Sequence, residues 1–117
     1  MRTTTLYGIP NCDTVKKARA FLTEHAVAYE FHDYKKLGVP AAALDGWVAR
    51  LGWEKLLNRK GNVWRGLDPV RQDAVVDAAT AKVLMIEQPS VIKRPVLVQG
   101  DTLMVGFDAA LWAQRLT

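Results

Sequence analysis

"LYGIPNCDTVKKARAFL", residues 6–22, decides the fold because one backbone periodicity gives way to another inside it. Its first residues continue Thr3-Thr4-Thr5, so Thr3 to Tyr7 is rich in β-branched and aromatic side chains. Gly8 and Pro10 then interrupt the run, which predicts a strand closed by a breaker. Beyond the loop, Val15, Ala18 and Leu22 fall at i, i+3 and i+7 while Lys16, Lys17 and Arg19 take another face. That spacing predicts an amphipathic helix from Thr14 to about His25. Ala28 to His32 alternates apolar and polar residues, the period of a half-buried strand. The opening of the chain therefore reads β-α-β. A right-handed crossover makes its two strands parallel neighbours and puts the loop around Cys12 at the carboxyl end of the first, where open α/β sheets usually bind ligands.

The pattern turns helical between Gly38 and Gln88, with expected helices over Pro40–Leu51, Trp53–Leu57, Pro69–Ala79 and Ala81–Glu87. Pro40 and Pro69 suit first-turn positions, and Asp68 suits the N-cap before Pro69. Pro95–Gln99 and Thr102–Val105 flank Gly100-Asp101, a hairpin signal. Asp108 caps a closing helix that runs to Leu116. The order is β-α-β, a helical insert, then β-β-α. This is an α/β protein whose sheet mixes a parallel pair with a hairpin.

The 117 residues suit one domain, since domains run to about 100–150 residues. Half of the residues are hydrophobic and 24% are charged, a balance that supports a globular core. No apolar run approaches the roughly 18 residues of a membrane span, and Met1 to Thr5 has no signal-peptide character. A cytoplasmic protein is expected, without membrane association. The net charge of +4 comes from scattered pairs such as Lys16-Lys17, Lys35-Lys36, Arg59-Lys60 and Lys93-Arg94. A small anion or an acidic partner explains that distribution without nucleic acid, for which there is no motif. One cysteine permits no internal disulfide, no CxxC redox pair and no cysteine-rich metal site.

The lone thiol then needs an account. At a helix N-terminus the free N–H groups and the positive end of the dipole stabilise a thiolate. Thr14 offers a hydroxyl, Lys16 offers charge one turn on, and Pro10 stiffens the loop. Adjacent Asp13 opposes ionisation unless its side chain turns away. The alternative is a small buried hydrophobe, the common role of a free cysteine. Asn11, beside the thiol, joins Thr14 as a candidate anion contact.

In "SVIKRPVLV", residues 90–98, Arg94-Pro95 opens a strand, and X–Pro bonds are the ones that tolerate a cis geometry. The Arg94 guanidinium offers a planar fork for an oxyanion or carboxylate, with Lys93 next to it. It could equally be a solvated arginine before an edge strand. "LLNRKGNVWRGLD", residues 56–68, carries Arg59 and Arg65 around a glycine turn with Trp64 nearby. Alone, that stretch reads as solvated. His25 and His32 have no metal-like companions and receive no role.

Taken together, "LYGIPNCDTVKKARAFL", "EFHDYKK", "LGWEKLLNRKGNVWRGLD", "LMIEQPSVIKRPVLV" and "VGFD" resemble the ArsC-like family of glutaredoxin-coupled arsenate reductases and their Spx relatives. The similarity is strongest to its YffB branch. It implies a thioredoxin-like core, residues 1–37 and 90–117, interrupted by a helical insert, residues 38–89, as one domain. It also implies that Cys12 is the nucleophile, Arg59 and Arg94 are anion-contacting arginines and Pro95 is a cis proline.

Two positions depart from the arsenate reductases: Gly8 stands where they carry a histidine, and Gly106 where they carry a third arginine. Losing one or two charge-assisted contacts weakens anion stabilisation by about 10- to 10⁴-fold. The expectation is therefore a glutathione-dependent monothiol reductase that works through a mixed disulfide at Cys12. The two glutathione carboxylates would meet Arg59, Arg94 or Lys93. Glutathione is a co-substrate and no bound cofactor or metal is expected; glutaredoxin is a second candidate partner, and the protein is expected to be a monomer. The alternatives are arsenate reduction coupled to glutaredoxin and a non-enzymatic Spx-like adaptor on RNA polymerase. Spx relatives commonly carry a CxxC switch, and here the position three after Cys12 is Val15.

Overall fold

The computed structural model describes residues 3–116. Met1 and Arg2, part of the segment read for a leader, and Thr117 lie outside it. The strands are β1 (Thr4–Gly8), β2 (Glu30–Asp33), β3 (Val96–Gln99) and β4 (Thr102–Val105). The helices are α1 (Asp13–Glu24), α2 (Tyr34–Leu37), α3 (Ala41–Leu51), α4 (Trp53–Leu56), α5 (Asn62–Arg65), α6 (Pro69–Asp73), α7 (Ala78–Glu87) and α8 (Ala109–Arg115). A 3₁₀ turn, Pro89–Val91, follows α7. The chain divides into two compact units, residues 1–36 with 94–117, and residues 37–93.

The first unit holds a four-stranded sheet in the order β2-β1-β3-β4. β1 is parallel to β2, with Leu6 opposite Phe31, and antiparallel to β3, with Leu6 opposite Leu97. β3 and β4 form the expected hairpin around Gly100-Asp101. This is a mixed, thioredoxin-like sheet, as the alternation of the segments implied. The second strand is four residues long and starts later than its polar alternation suggests. β2 pairs with β1 alone, and the backbone bonds available to it run only from Glu30 to Asp33.

α1 lies in the crossover and buries Val15, Ala18, Phe21 and Leu22. These are the periodic positions plus one aromatic. Phe21 and Leu22 join Leu6, Ala18, Leu97, Met104 and Trp112 in the core of this unit. Trp112 meets Phe21 edge-on, with ring centroids 5.9 Å apart, and meets Phe107 at 4.9 Å. Such edge-to-face pairs add to the large apolar area an aromatic ring buries and hold α8 against α1. Asp108 caps α8 by accepting from the Leu111 amide at 3.1 Å. α1 ends without a glycine: Ala26 takes a left-handed φ of 56°, and the Val27 amide donates to the Leu22 carbonyl at 2.9 Å.

The second unit is helical around a short backbone clasp. Leu57 bridges Ile92 in antiparallel fashion, the Asn58 amide donates to the Val91 carbonyl and the Lys93 amide to the Leu56 carbonyl, each at 2.7 Å. Because Leu57 enters that bridge, α4 stops at Leu56.

The expected helix over Pro69–Ala79 is corrected here: α6 stops at Asp73 and a new helix begins at Ala78. Asp77 and Thr80 form a capping box, with the Thr80 amide donating to Asp77 Oδ1 at 2.9 Å and the Asp77 amide donating to Thr80 Oγ1 at 3.1 Å. A reciprocal cap satisfies free N–H groups only at a helix start, so it overrides continuity through Val75 and Val76. Asp68 does cap α6, accepting from the Val70 amide at 2.8 Å, and Pro69 is its first residue. Pro40 is the N-cap residue of α3 instead of lying in its first turn. The single turns α2 and α5 have no periodic pattern of their own.

Gly8 sets how closely α1 approaches β1, because a Cβ built there would lie 2.9 Å from Val15 Cγ2. Val15 is fully buried and, being β-branched, has little rotamer freedom with which to retreat. Gly8→Ala is expected to destabilise the protein by about 1–3 kcal/mol. In urea unfolding, the Gly8→Ala, Val15→Ala double variant should lose less than the sum of the single losses; simple additivity would count against the contact.

Candidate active site

The turns of the first unit that carry candidate residues gather at one edge of its sheet. β1 ends at Gly8 and its continuation, Ile9 to Asn11, leads to Cys12. β2 ends opposite it, with Asp33 paired to Gly8, and passes directly into Tyr34. β3 runs the other way, with Val96 opposite Tyr7, so one step earlier in the same register Pro95 reaches the level of Gly8. β4 leaves the sheet at this edge too, since Val105 pairs with Val96, and the Gly106 amide donates to the Pro95 carbonyl at 2.8 Å.

Cys12 is the N-cap residue of α1, with an extended backbone at φ −146° and ψ 124°. Its carbonyl accepts from the Lys16 amide at 2.9 Å, the first turn of the helix. Its side chain makes no capping hydrogen bond, so the sulfur is not engaged in closing the helix end. The residue is half-buried and the thiol is free. Asn11, Asp13 and Thr14 are exposed around it. Cys12 thus caps the positive end of a twelve-residue helix and is partly exposed as a residue.

The Arg94–Pro95 peptide is cis, Pro95 is buried and Arg94 is half-buried. Asn11, Cys12, Thr14, Arg94 and Pro95 all belong to the first unit. Arg59 and Lys93 belong to the second and are exposed there. The Arg59 guanidinium lies over two indole faces, 5.6 Å from the Trp53 centroid and 5.7 Å from that of Trp64. His25 packs structurally: its ring stacks on Phe21 at 3.9 Å, and Nδ1 lies 2.9 Å from the Phe21 carbonyl oxygen. His32 lies 5.0 Å from the Tyr7 ring.

Tyr34 is the residue that sequence patterning passed over. It is only 2% exposed, and its hydroxyl is buried with no hydrogen-bond partner among the described residues. Its ring stacks with Tyr7 at 6.4 Å and meets His32 edge-on at 6.0 Å. Burial, reinforced by Tyr7, pushes its phenol far above the ordinary tyrosine value, and the positive charge of Arg94 opposes the shift. A tyrosine immediately after a strand, in "HDYKK", gives no periodic signal; only the tertiary fold buries it.

The two departures at Gly8 and Gly106 also have structural correlates. At Gly8 the space for a side chain is taken by Val15. At Gly106 there is space for a Cβ but the backbone has φ +79°, a conformation that strains an L-residue.

With this geometry in hand, the ArsC family model matches residues 7–114. The chain belongs to the ArsC family. A solved structure of a YffB protein superimposes with a TM-score of 0.93 at 50% identity, covering 98% of this chain and all of the other. An arsenate reductase (ArsC) related protein from Brucella melitensis matches at 48% identity with a TM-score of 0.75, covering 98% of this chain and 95% of that one. Among curated relatives, an uncharacterized protein of Haemophilus influenzae is 38% identical, covering 89% of this chain and 90% of its own length. The Streptococcus agalactiae global transcriptional regulator Spx is 26% identical, covering 89% of this chain and 76% of its own length. This ArsC-family chain therefore resembles both reductase-related proteins and regulators. Among its described residues no helix is long and apolar enough to cross a membrane.

A buried hydroxyl without a partner costs about 1–3 kcal/mol. Tyr34→Phe should therefore leave stability unchanged or raise it by up to that amount, and a clear loss would mean the hydroxyl has a partner. The pH dependence has a definite sign. Above about pH 10 an unfolded tyrosine loses its proton while folded Tyr34 keeps it, so stability falls as pH rises. Denaturant titrations across that range should show a shallower decline in Tyr34→Phe, the remainder including Tyr7, which burial and Glu30 also push up.

Proposed function

We propose that the protein is a thiol-based reductase that uses Cys12 as its nucleophile and glutathione as its electron donor. The observation that carries this reading is a half-buried, free thiol at the N-terminus of α1, on the same sheet edge as Arg94 and cis-Pro95. In the first step the Cys12 thiolate attacks the glutathionyl sulfur of a mixed disulfide RS–SG. The S–S bond breaks, RS⁻ leaves and takes a proton, and Cys12–S–SG forms. In the second step the thiolate of another glutathione attacks that glutathionyl sulfur, releasing oxidised glutathione and restoring the Cys12 thiolate. The net exchange is RS–SG + GSH → RSH + GSSG, so one glutathione thiol is consumed and the RS sulfur is released as a thiol.

An external resolving thiol follows from the single cysteine of the sequence. Glutaredoxin could serve as that thiol in place of the second glutathione. The tripeptide carries two carboxylates, and Arg94 offers a half-buried fork suited to one of them. Asn11 and Thr14, which flank Cys12 in the chain, are further candidate contacts.

Arsenate reduction is the second reading, supported by the arsenate reductase related protein at 48% identity. Val15 against Gly8 and the left-handed backbone at Gly106 weigh against it, because both disfavour restoring the side chains of the arsenate reductases. An Spx-like adaptor is third, since fully buried Val15 replaces the second cysteine of the switch.

Incubation with oxidised glutathione should give one adduct by mass spectrometry, located on Cys12, and Cys12→Ser should abolish glutathione-dependent reduction of a small mixed disulfide. Unchanged turnover in that variant would remove the assignment. Arg94→Ala should weaken glutathione binding by about 1–3 kcal/mol, roughly 5- to 150-fold in Kd. Titration calorimetry that detects no change would return Arg94 to a structural role.

A further inference from the structure

α7 lacks the polar outer face that a surface helix normally has. Of its ten residues only Thr80, Lys82 and Glu87 are polar, and each is already engaged within the second unit. Thr80 closes the capping box with Asp77, Lys82 Nζ meets Asp45 Oδ1 at 3.0 Å, and Glu87 pairs with Arg71 of α6. Leu84 and Met85 are buried, yet Val83 is 55% exposed and Ile86 45%. A helix that is apolar all round is normally buried all round.

The apolar surface continues beyond the helix. Among the described residues six large apolar side chains are exposed, and four of them, Val70, Val76, Val83 and Ile86, belong to α6, α7 and the turn between. Val76 precedes α7, and Ala79, Val83 and Ile86 follow it at steps of three or four residues, the spacing of one helix face. Beside this stripe Ala74, Val75, Ala79 and Val83 line an open cavity of about 370 Å³, with Arg71 and Glu87 completing its walls. The small side chains at 74 and 79 leave the hollow. Such an apolar patch, rimmed by polar groups, marks a contact surface.

The charges around it fit a second copy of the same surface. Arg71 is held beside the last residue of α7 by its pair with Glu87, whereas Asp77 caps the first turn of that helix. An identical helix laid antiparallel across Val83 brings the Arg71 of each copy to the Asp77 end of the other. The same rotation sets Ile86, three residues after Val83, opposite Thr80, three before it and next to the hollow at Ala79. Glu87 then faces the positive end of the opposite helix. One patch meeting itself in this way is the isologous contact of a two-fold pair. A partner of one strong charge would gain at one end of the stripe and lose at the other.

We propose that the α6–α7 face is a self-association surface on which two copies of this chain pair about Val83, where the sequence led to the expectation of a monomer. The residues involved are far fewer than the roughly 20–30 a side of a standard interface, so the pair is weak, with a Kd of about 10–300 µM.

Sedimentation velocity of the full chain across about 5–500 µM should show the mass rising from one chain toward two. Val83→Asp should raise Kd at least about 10-fold, and Leu111→Asp, a change to an exposed apolar residue of the first unit, should leave it unchanged. The register has its own test in a Cys12→Ser background. There Val83→Cys, which meets itself on the two-fold axis, should oxidise with diamide to an intermolecular disulfide about 10-fold faster than Val70→Cys, which is exposed but off the axis.

A monomer throughout the concentration range would overturn the proposal and leave the face to a different protein or a small apolar ligand. A dimer unmoved by Val83→Asp, or equal cross-linking at positions 83 and 70, would put the contact elsewhere and overturn it as well. Should Val83→Asp melt early, Val83→Thr keeps the shape, adds only a hydroxyl and should still raise Kd about 3-fold. An unchanged Kd in folded Val83→Thr would overturn the pairing.

Discussion

The close approach of Val15 to Gly8 is the contact on which the thiol depends. A strand passing into a crossover helix must bring the first turn of that helix down onto its own last residue, and any Cβ at position 8 would hold the turn away. With glycine there, Val15 is fully buried, α1 starts directly above the end of β1 and Cys12 becomes its N-cap. The same packing that builds the helix end leaves no room for the side chain that arsenate reductases are expected to carry at that position. The start of α1 is therefore tied to one steric fact, and a change that adds a side chain at residue 8 must displace Val15.

The two arginines expected to meet anions are held by different physics. Arg94 is half-buried, and its neighbour Pro95 is locked into the sheet edge through a cis peptide and a carbonyl that accepts from Gly106. Its charge is felt by the buried phenol of Tyr34. Arg59 is solvent-exposed and held by two aromatic faces instead. A guanidinium in water gains little from a single ion pair, because solvent screens the charge and the side chain loses freedom.

The parts of the fold that were legible in the sequence are those governed by local rules. The spacing of Val15, Ala18 and Leu22 marked α1, the Gly100-Asp101 pair marked the hairpin, and Asp68 and Asp108 marked helix starts. The Asp77–Thr80 capping box is also local, yet the apolar Ala74-Val75-Val76 run before it continues the helical pattern and hides it. β2 began later than its alternation suggested because strand limits are set by the partner strand. Cys12 stood out as the one thiol at a strand-to-helix junction, and the five quoted motifs carried the family resemblance. Tyr34 did not stand out, since nothing local distinguishes a tyrosine that will lose all its solvent from one that will keep it.

By itself, then, the sequence determined the order of the main elements, the parallel β-α-β opening, the hairpin and the position of the one cysteine at a helix start. Each of these follows from side-chain periodicity or from backbone preferences within a few residues. Tertiary structure alone decided which glycine must be glycine, which hydroxyl is stranded without a partner and which arginine rests on aromatic faces. Those properties depend on distances between residues far apart in the chain or on opposite sides of a turn, and no local pattern encodes them.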